Sequence, residues 1–170
     1  MNSLISNATY VFNPVKKITY LRPIGASYTG GSDTALFDGK MGNTENFRVR
    51  WVGVEKQDFI VEAELKKPLA LNEVDVRFIY KPWSLIILPD EIMVETSADG
   101  INYEMAATHK PLIPDKNTTE NIMMYEIKIP QVKSCSFIRF TAKTTGKLPA
   151  WHDFAGRDAW LFIDEIMLKW

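Results

Sequence analysis

A single cysteine, Cys135, among 170 residues rules out any intrachain disulfide. The class of small folds stapled by disulfide frameworks is thereby excluded. Histidine is almost as scarce, with His109 and His152 the only two. Neither Gly-x-Ser-x-Gly nor His-Glu-x-x-His occurs, so two common hydrolase signatures are missing. No window approaches the roughly 20 apolar residues of a membrane-spanning helix, so no membrane insertion is expected. Twenty basic against 21 acidic residues leave a net charge of −1. Nucleic-acid binding needs a concentrated basic surface, so it is not expected here. The opening residues MNSLISNATYVFNP lack a basic segment followed by a long apolar run and do not read as a signal peptide. An exported protein would carry its signal outside these residues.

What is present describes an ordinary globular domain. Hydrophobic residues make up 46% and charged residues 24%, which excludes a disordered chain. A domain of this size buries about 70% of its unfolded surface and needs no metal merely to fold. Helical periodicity is nearly absent. Short alternating runs bounded by Gly, Pro, Asn and Asp recur instead, the pattern of an all-β protein. Phe59, Val61, Ala63 and Leu65 share one face of a strand, and Val74, Val76, Phe78 and Tyr80 repeat the pattern. Ile92, Val94 and Thr96 follow, then Tyr125, Ile127 and Ile129, then Ile138, Phe140 and Ala142.

The closing run is apolar on both faces and predicts a central strand. Strict alternation puts Phe162, Ile166, Leu168 and Trp170 on one side, with Leu161, Ile163 and Met167 on the other. Asp99-Gly100 predicts a hairpin turn. Together these runs predict an antiparallel β-sandwich of two sheets. Residues 1–15 read as a linker or arm, and residues 16–170 as the domain.

Three constellations bear on chemistry. The segment 35–44, Ala-Leu-Phe-Asp-Gly-Lys-Met-Gly-Asn-Thr, holds a carboxylate, two glycines and short oxygen-bearing residues that suit either a hard cation or a plain turn. The segment 148–157 gathers Trp151, His152, Asp153 and Arg157 on a Gly-containing loop, with Trp51 and Trp83 elsewhere. Exposed rings stack on the C–H face of a sugar while Arg157 and His152 donate to hydroxyls and Asp153 accepts. The alternative is that the tryptophans fill the core, which is the favoured reading for Trp51, Trp160 and Trp170. The third is catalysis. Asp164 and Glu165 are consecutive on a strand, so alternation points them to opposite faces and they form no carboxylate pair. Sequons at Asn7 and Asn117 matter only in a eukaryotic secretory setting.

An ordered set of short motifs now carries a resemblance. Ala35-Leu36-Phe37-Asp38-Gly39, Trp51, Ser97-Ala98-Asp99-Gly100, Phe137-Ile138-Arg139-Phe140 and Asp164-Glu165-Ile166 resemble the factor 5/8 type C (discoidin) domains, which include the family 32 carbohydrate-binding modules. Trp83 with Leu88-Pro89, Leu148-Pro149-Ala150-Trp151-His152 and Ala159-Trp160-Leu161-Phe162 are similar to the C-terminal domain of Bacteroidetes chitobiases and family 20 β-N-acetylhexosaminidases. The likeness spans about residues 16–170.

The resemblance implies a jelly-roll, galactose-binding-domain-like sandwich with ligand loops at one end and no catalysis in this chain. The glycan contact set is expected to be Trp83, Trp151, His152 and Arg157. A structural calcium ion is expected on Asp38, the Lys40 carbonyl, Thr44 and Glu165, with the Lys40 ammonium as a competitor for the ion. It further implies a monomeric accessory domain of a secreted, periplasmic or outer-membrane-surface hydrolase, binding GlcNAc- or galactose-containing glycans beside an upstream catalytic domain. The alternative is a structural domain that packs on the catalytic barrel without binding sugar.

Overall fold

The computed structural model describes residues 13–114 and 116–170. The Asn7 sequon and most of the expected amino-terminal arm lie outside the described residues. Among the described residues nine strands form two sheets: β1 Val15–Tyr20, β2 Val52–Glu55, β3 Phe59–Ala70, β4 Glu73–Tyr80, β5 Glu91–Ser97, β6 Glu104–His109, β7 Asn121–Lys128, β8 Ser134–Lys143 and β9 Trp160–Lys169. One sheet has the order β1-β3-β8-β5-β6 and the other β2-β9-β4-β7. Neighbouring strands within each sheet are antiparallel. The expected all-β sandwich is what the chain forms.

Alternation decides which side chains meet between the sheets. Phe59, Val61, Ala63 and Leu65 of β3 face Val74, Val76 and Phe78 of β4 across one buried cluster, which Ile92, Val94, Ile138 and Phe140 complete. The turn expected at Asp99-Gly100 joins β5 to β6. The Asp99 carboxylate accepts from the amides of Ile101 and Asn102 at 2.9 and 2.8 Å. Gly100 takes a φ of 75° there, a left-handed value that a side chain would strain. β1 starts at Val15, which is buried in the main core.

The closing strand departs from strict alternation. Leu161, Ile163, Ile166 and Leu168 all point into the main core, whereas Phe162 faces the other side. The register with β4 explains this: Arg77 pairs with Glu165 and Phe78 with Ile163, leaving Asp164 as the extra residue of a β-bulge. The expected grouping of Phe162 with Ile166 and Leu168 is therefore corrected. So is the opposite-face placement of Asp164 and Glu165. The bulge turns both carboxyl groups outward, toward the segment 38–44.

That outer face of the second sheet is covered by loops and holds a second core. Trp51, Ile79, Ile86 and Phe162 are buried there, flanked by Tyr28, Phe47, Ile122 and Trp160. Tyr28 meets Phe162 and Trp160 edge-on, at centroid distances of 4.9 and 5.0 Å. Such aromatic pairs contribute about 0.5–1.5 kcal/mol each beyond the area they bury. Gly42 allows the covering loop to lie flat, because a Cβ at that position would sit 2.2 Å from the Trp51 Nε1. Trp51 is a core residue.

Candidate functional site

Two loops meet at one edge of this second core. The 3-10 turn Pro82–Ser84 follows β4 and ends on Leu85 in the left-handed conformation. The β8–β9 connection folds back on itself through Leu148 N–H to Arg157 O (2.9 Å) and Gly156 N–H to Leu148 O (3.0 Å). Within it, His152 N–H donates to Pro149 O and Ala155 N–H to His152 O. Self-bonding of this kind makes a compact, shaped loop out of a segment with no strand partner.

His152 joins the two loops. It is only 3% exposed. The Phe154 N–H donates to its Nδ1 at 3.0 Å, and its Nε2 lies 3.0 Å from the Pro82 carbonyl oxygen. An amide donor against Nδ1 and a carbonyl acceptor against Nε2 admit one neutral tautomer, with the proton on Nε2. Both ring nitrogens are thus committed inside the protein. This corrects the expectation that His152 donates to a ligand.

Three aromatic rings surround it: Trp83 at 4.9 Å, Trp151 at 5.7 Å and Phe154 at 5.8 Å between centroids. These rings are open to solvent, at 53%, 36% and 47% exposure respectively. The Arg157 guanidinium lies 5.1 Å over the Phe154 ring, a cation–π contact that orients it. Arg157 and Asp153 are both exposed on the same loop. The structure therefore brings Trp83, Trp151 and Arg157 to one surface, and adds Phe154. Sequence reasoning missed Phe154, although an aromatic two residues from His152 on a Gly-containing loop was a usable signal.

Beside this surface lies a groove of about 380 Å³ with an apolar lining that includes Leu88, Pro89, Ile113, Pro114, Leu148 and Pro149. It shares the roots of both loops.

The second candidate lies beneath the segment 38–44. A buried 3-10 turn, Ala35–Phe37, plugs into the main core and delivers Asp38. Glu165 accepts from the Gly39 amide at 3.0 Å, and Asp164 accepts from the Gly42 amide and from Arg77, both at 2.7 Å. One oxygen of each carboxyl group, Asp164 Oδ1 and Glu165 Oε2, is buried without a hydrogen-bond partner. Burial pushes the Glu165 carboxyl up to about 8, and the charges of Asp38 and Asp164 add to the rise. Burial also pushes Asp164 up to about 6, although the Gly42 amide and Arg77 pull it down.

An orphaned, buried carboxylate oxygen near Asp38 fits a cation. Asp38 and Glu165 suit that role. Thr44 suits it poorly, because its carbonyl accepts from the Lys81 ammonium at 3.1 Å and Lys81 in turn pairs with Glu120 at 2.6 Å. The Lys40 ammonium stays mostly exposed, 3.7 Å from Asp38 Oδ2. It does not enter the buried space beside Glu165.

A third group of acids, Glu73, Asp75 and Glu126, converges within 4.8 Å on the outer face of β4 and β7. Ammonium groups already pair with two of its three members. Lys169 bonds Glu73 and lies 2.7 Å from Asp75, while Lys128 lies 3.2 Å from Glu73.

No protein-family model matches this sequence, and no curated protein matches it. Solved structures do. A family 32 carbohydrate-binding module of Clostridium perfringens, CpGH89CBM32-4 in complex with GlcNAc-α-1,4-galactose, is similar with a TM-score of 0.51 at 19% identity, over 99% of this chain and 100% of that one. The CBM32 of AlyQ, in complex with 4,5-unsaturated mannuronic acid, has a TM-score of 0.53 at 12% identity, over 91% and 94% of the two chains. The N-terminal domain of the single-strand break repair protein XRCC1 reaches 0.56 at 9% identity, over 92% and 97%. A sugar binder and a repair-protein domain share this architecture, so the likeness speaks to fold and leaves function to the site. The chain has the jelly-roll β-sandwich fold found in the family 32 carbohydrate-binding modules.

Proposed function

We propose that this chain is a non-catalytic carbohydrate-binding module. The observation that carries the reading is the exposed array of Trp83, Trp151 and Phe154 built on one buried imidazole. Rigid aromatic rings cover the apolar face of a sugar at low entropic cost. Arg157 supplies donors and Asp153 an acceptor for ring hydroxyls. The fold shared with sugar-binding modules supports the same reading.

The finer parts of the proposal are these. The module is monomeric and belongs to an extracytoplasmic, chitobiase- or hexosaminidase-like glycoside hydrolase. It holds the upstream catalytic domain near GlcNAc- or galactose-containing glycans and so raises the effective substrate concentration. A structural calcium ion sits on Asp38, the Lys40 carbonyl and Glu165, where it fixes the segment 38–44 against β9 and supplies no chemistry.

The test is titration calorimetry against a panel of mono- and disaccharides, with and without chelator. Trp83→Ala, Trp151→Ala and Phe154→Ala are each expected to weaken binding about tenfold, the loss of one stacking partner. Their thermal stability should match the wild type. Wild-type affinity retained in all three variants would move the site elsewhere; no binding to any sugar would sink the reading.

A second reading, a domain that packs on its catalytic partner, is favoured by the apolar groove along Leu88, Pro89, Leu148 and Pro149. Removing the domain from the full-length enzyme separates the two. Lost activity on small soluble substrates supports packing, and a defect confined to polymeric glycans supports binding.

A further inference from the structure

We propose that neutral His152 is the positioning residue of the aromatic array: with its proton on Nε2 it holds Trp83, Trp151 and Phe154 in one surface, and a second proton on the ring releases that surface and its ligand. The part concerning ligand rests on the sugar-binding reading; the part concerning the array does not.

The geometry leaves the imidazole little choice. Its Nε2–H reaches across to the Pro82 carbonyl on the loop that carries Trp83. Its Nδ1 accepts the amide of Phe154 on the loop that carries Trp151 and Arg157. One ring therefore fixes the spacing between two loops and makes centroid contacts of 4.9–5.8 Å with all three exposed rings. Protonation of Nδ1 would set an N–H donor against the Phe154 N–H donor. That hydrogen bond is lost and two donors face each other in a site closed to water, which costs far more than losing an exposed contact. The loop 152–155 must move, and Phe154 and Trp151 move with it.

The charged groups on the elements around the ring do not change this account. On its own loop these are Lys147, Asp153, Arg157 and Asp158; at the root of the other loop it is Lys81. Asp158 is paired with Lys147 at 2.6 Å and Lys56 at 3.2 Å, Lys81 with Glu120, and Arg157 lies over Phe154. Asp153 and Arg157 are exposed. None of these groups bonds the imidazole nitrogens, which meet a carbonyl and an amide.

The first experiment needs no ligand. In proton–nitrogen NMR spectra of the whole chain, recorded between about pH 8 and pH 5, the Phe154 amide and the Trp83 and Trp151 indole signals should shift together, following the imidazole. The buried Trp51 indole should hold still. In His152→Asn, which offers an oxygen to the Phe154 amide but cannot gain a proton, all of these signals should stay flat. Phe154 and indole signals that do not move in the wild type overturn the proposal.

The second experiment titrates N-acetylglucosamine and galactose across the same pH range. Wild-type affinity should fall about tenfold on acidification, the scale of one buried unmatched donor, while His152→Asn shows no such slope. A parallel fall in both proteins overturns the proposal. If neither sugar binds at any pH, the sugar-binding reading fails and the NMR result still decides the role of His152.

Discussion

Asp164 and Glu165 are consecutive in β9, yet both side chains accept hydrogen bonds from the same loop, at Gly42 and Gly39. The bulge between Ile163 and Ile166 makes this possible. It converts a strand that would split the two acids into one that presents them together beneath a loop.

Asp164 is the charge partner of Arg77, with the pair 2.7 Å apart and both side chains nearly or fully removed from solvent. Asp164→Ala should destabilise the protein by about 3–5 kcal/mol, because it strands a buried guanidinium. Urea denaturation measures this. Arg77→Met with Asp164→Leu together should recover much of the loss; a double variant as unstable as the single would reject the pair as its cause.

Glu165 carries the cation prediction. Calcium at about 100 times its dissociation constant should stabilise the fold by about 2.7 kcal/mol, raising Tm by roughly 5–11 °C for a chain of this size. Glu165→Gln and Asp38→Asn should remove that rise, whereas Thr44→Val should keep it. The Thr44 variant losing the rise as fully as the others would place Thr44 back among the ligands.

The loop over Trp51 should tolerate no side chain at position 42. Gly42→Ala meets the indole nitrogen of Trp51 at 2.2 Å and should lower Tm through overpacking, by about 1–3 kcal/mol of stability. Trp51→Ala, which empties a fully buried site, should cost about 3–5 kcal/mol. Thermal unfolding of both variants checks the ranking.

Acid stability should depend on Glu73. The hydrogen bond from Lys169 brings its carboxyl down to about 2, below the ordinary 4.5. Since the folded value is lower than the unfolded one, this stabilisation is complete above about pH 4.5 and disappears as pH falls toward 2. The neighbouring Asp75 is shifted the other way by burial and opposes part of the effect. Glu73→Gln should therefore flatten the loss of Tm between pH 4.5 and 2, and a wild-type slope retained in that variant would discount the Lys169 contact.

Much of this was legible in the residue order. Alternation in 59–65, 74–80, 92–96, 125–129 and 138–142 found five strands, because a half-buried sheet surface demands period two. Asp99-Gly100 marked its hairpin. Loops with proline and glycine tend to expose what they carry; of the expected set Trp83, Trp151 and Arg157 are exposed, and His152 is buried. β1 and β2 escaped, being short and only weakly patterned. Phe154 was passed over among more polar neighbours.

By itself the sequence determined the β-sandwich, the absence of an intrachain disulfide and the loop on which Trp151, His152 and Arg157 gather. These depend on local periodicity and composition, which a chain states directly. Only the tertiary structure decided where strict alternation breaks in β9, since a bulge is set by pairing with β4 and not by β9 alone. It also decided that His152 is buried beneath three rings, with both nitrogens spoken for by Pro82 and Phe154. A hydrogen bond across 70 positions in the chain leaves no trace in local order, and it is that bond which joins two loops into one surface.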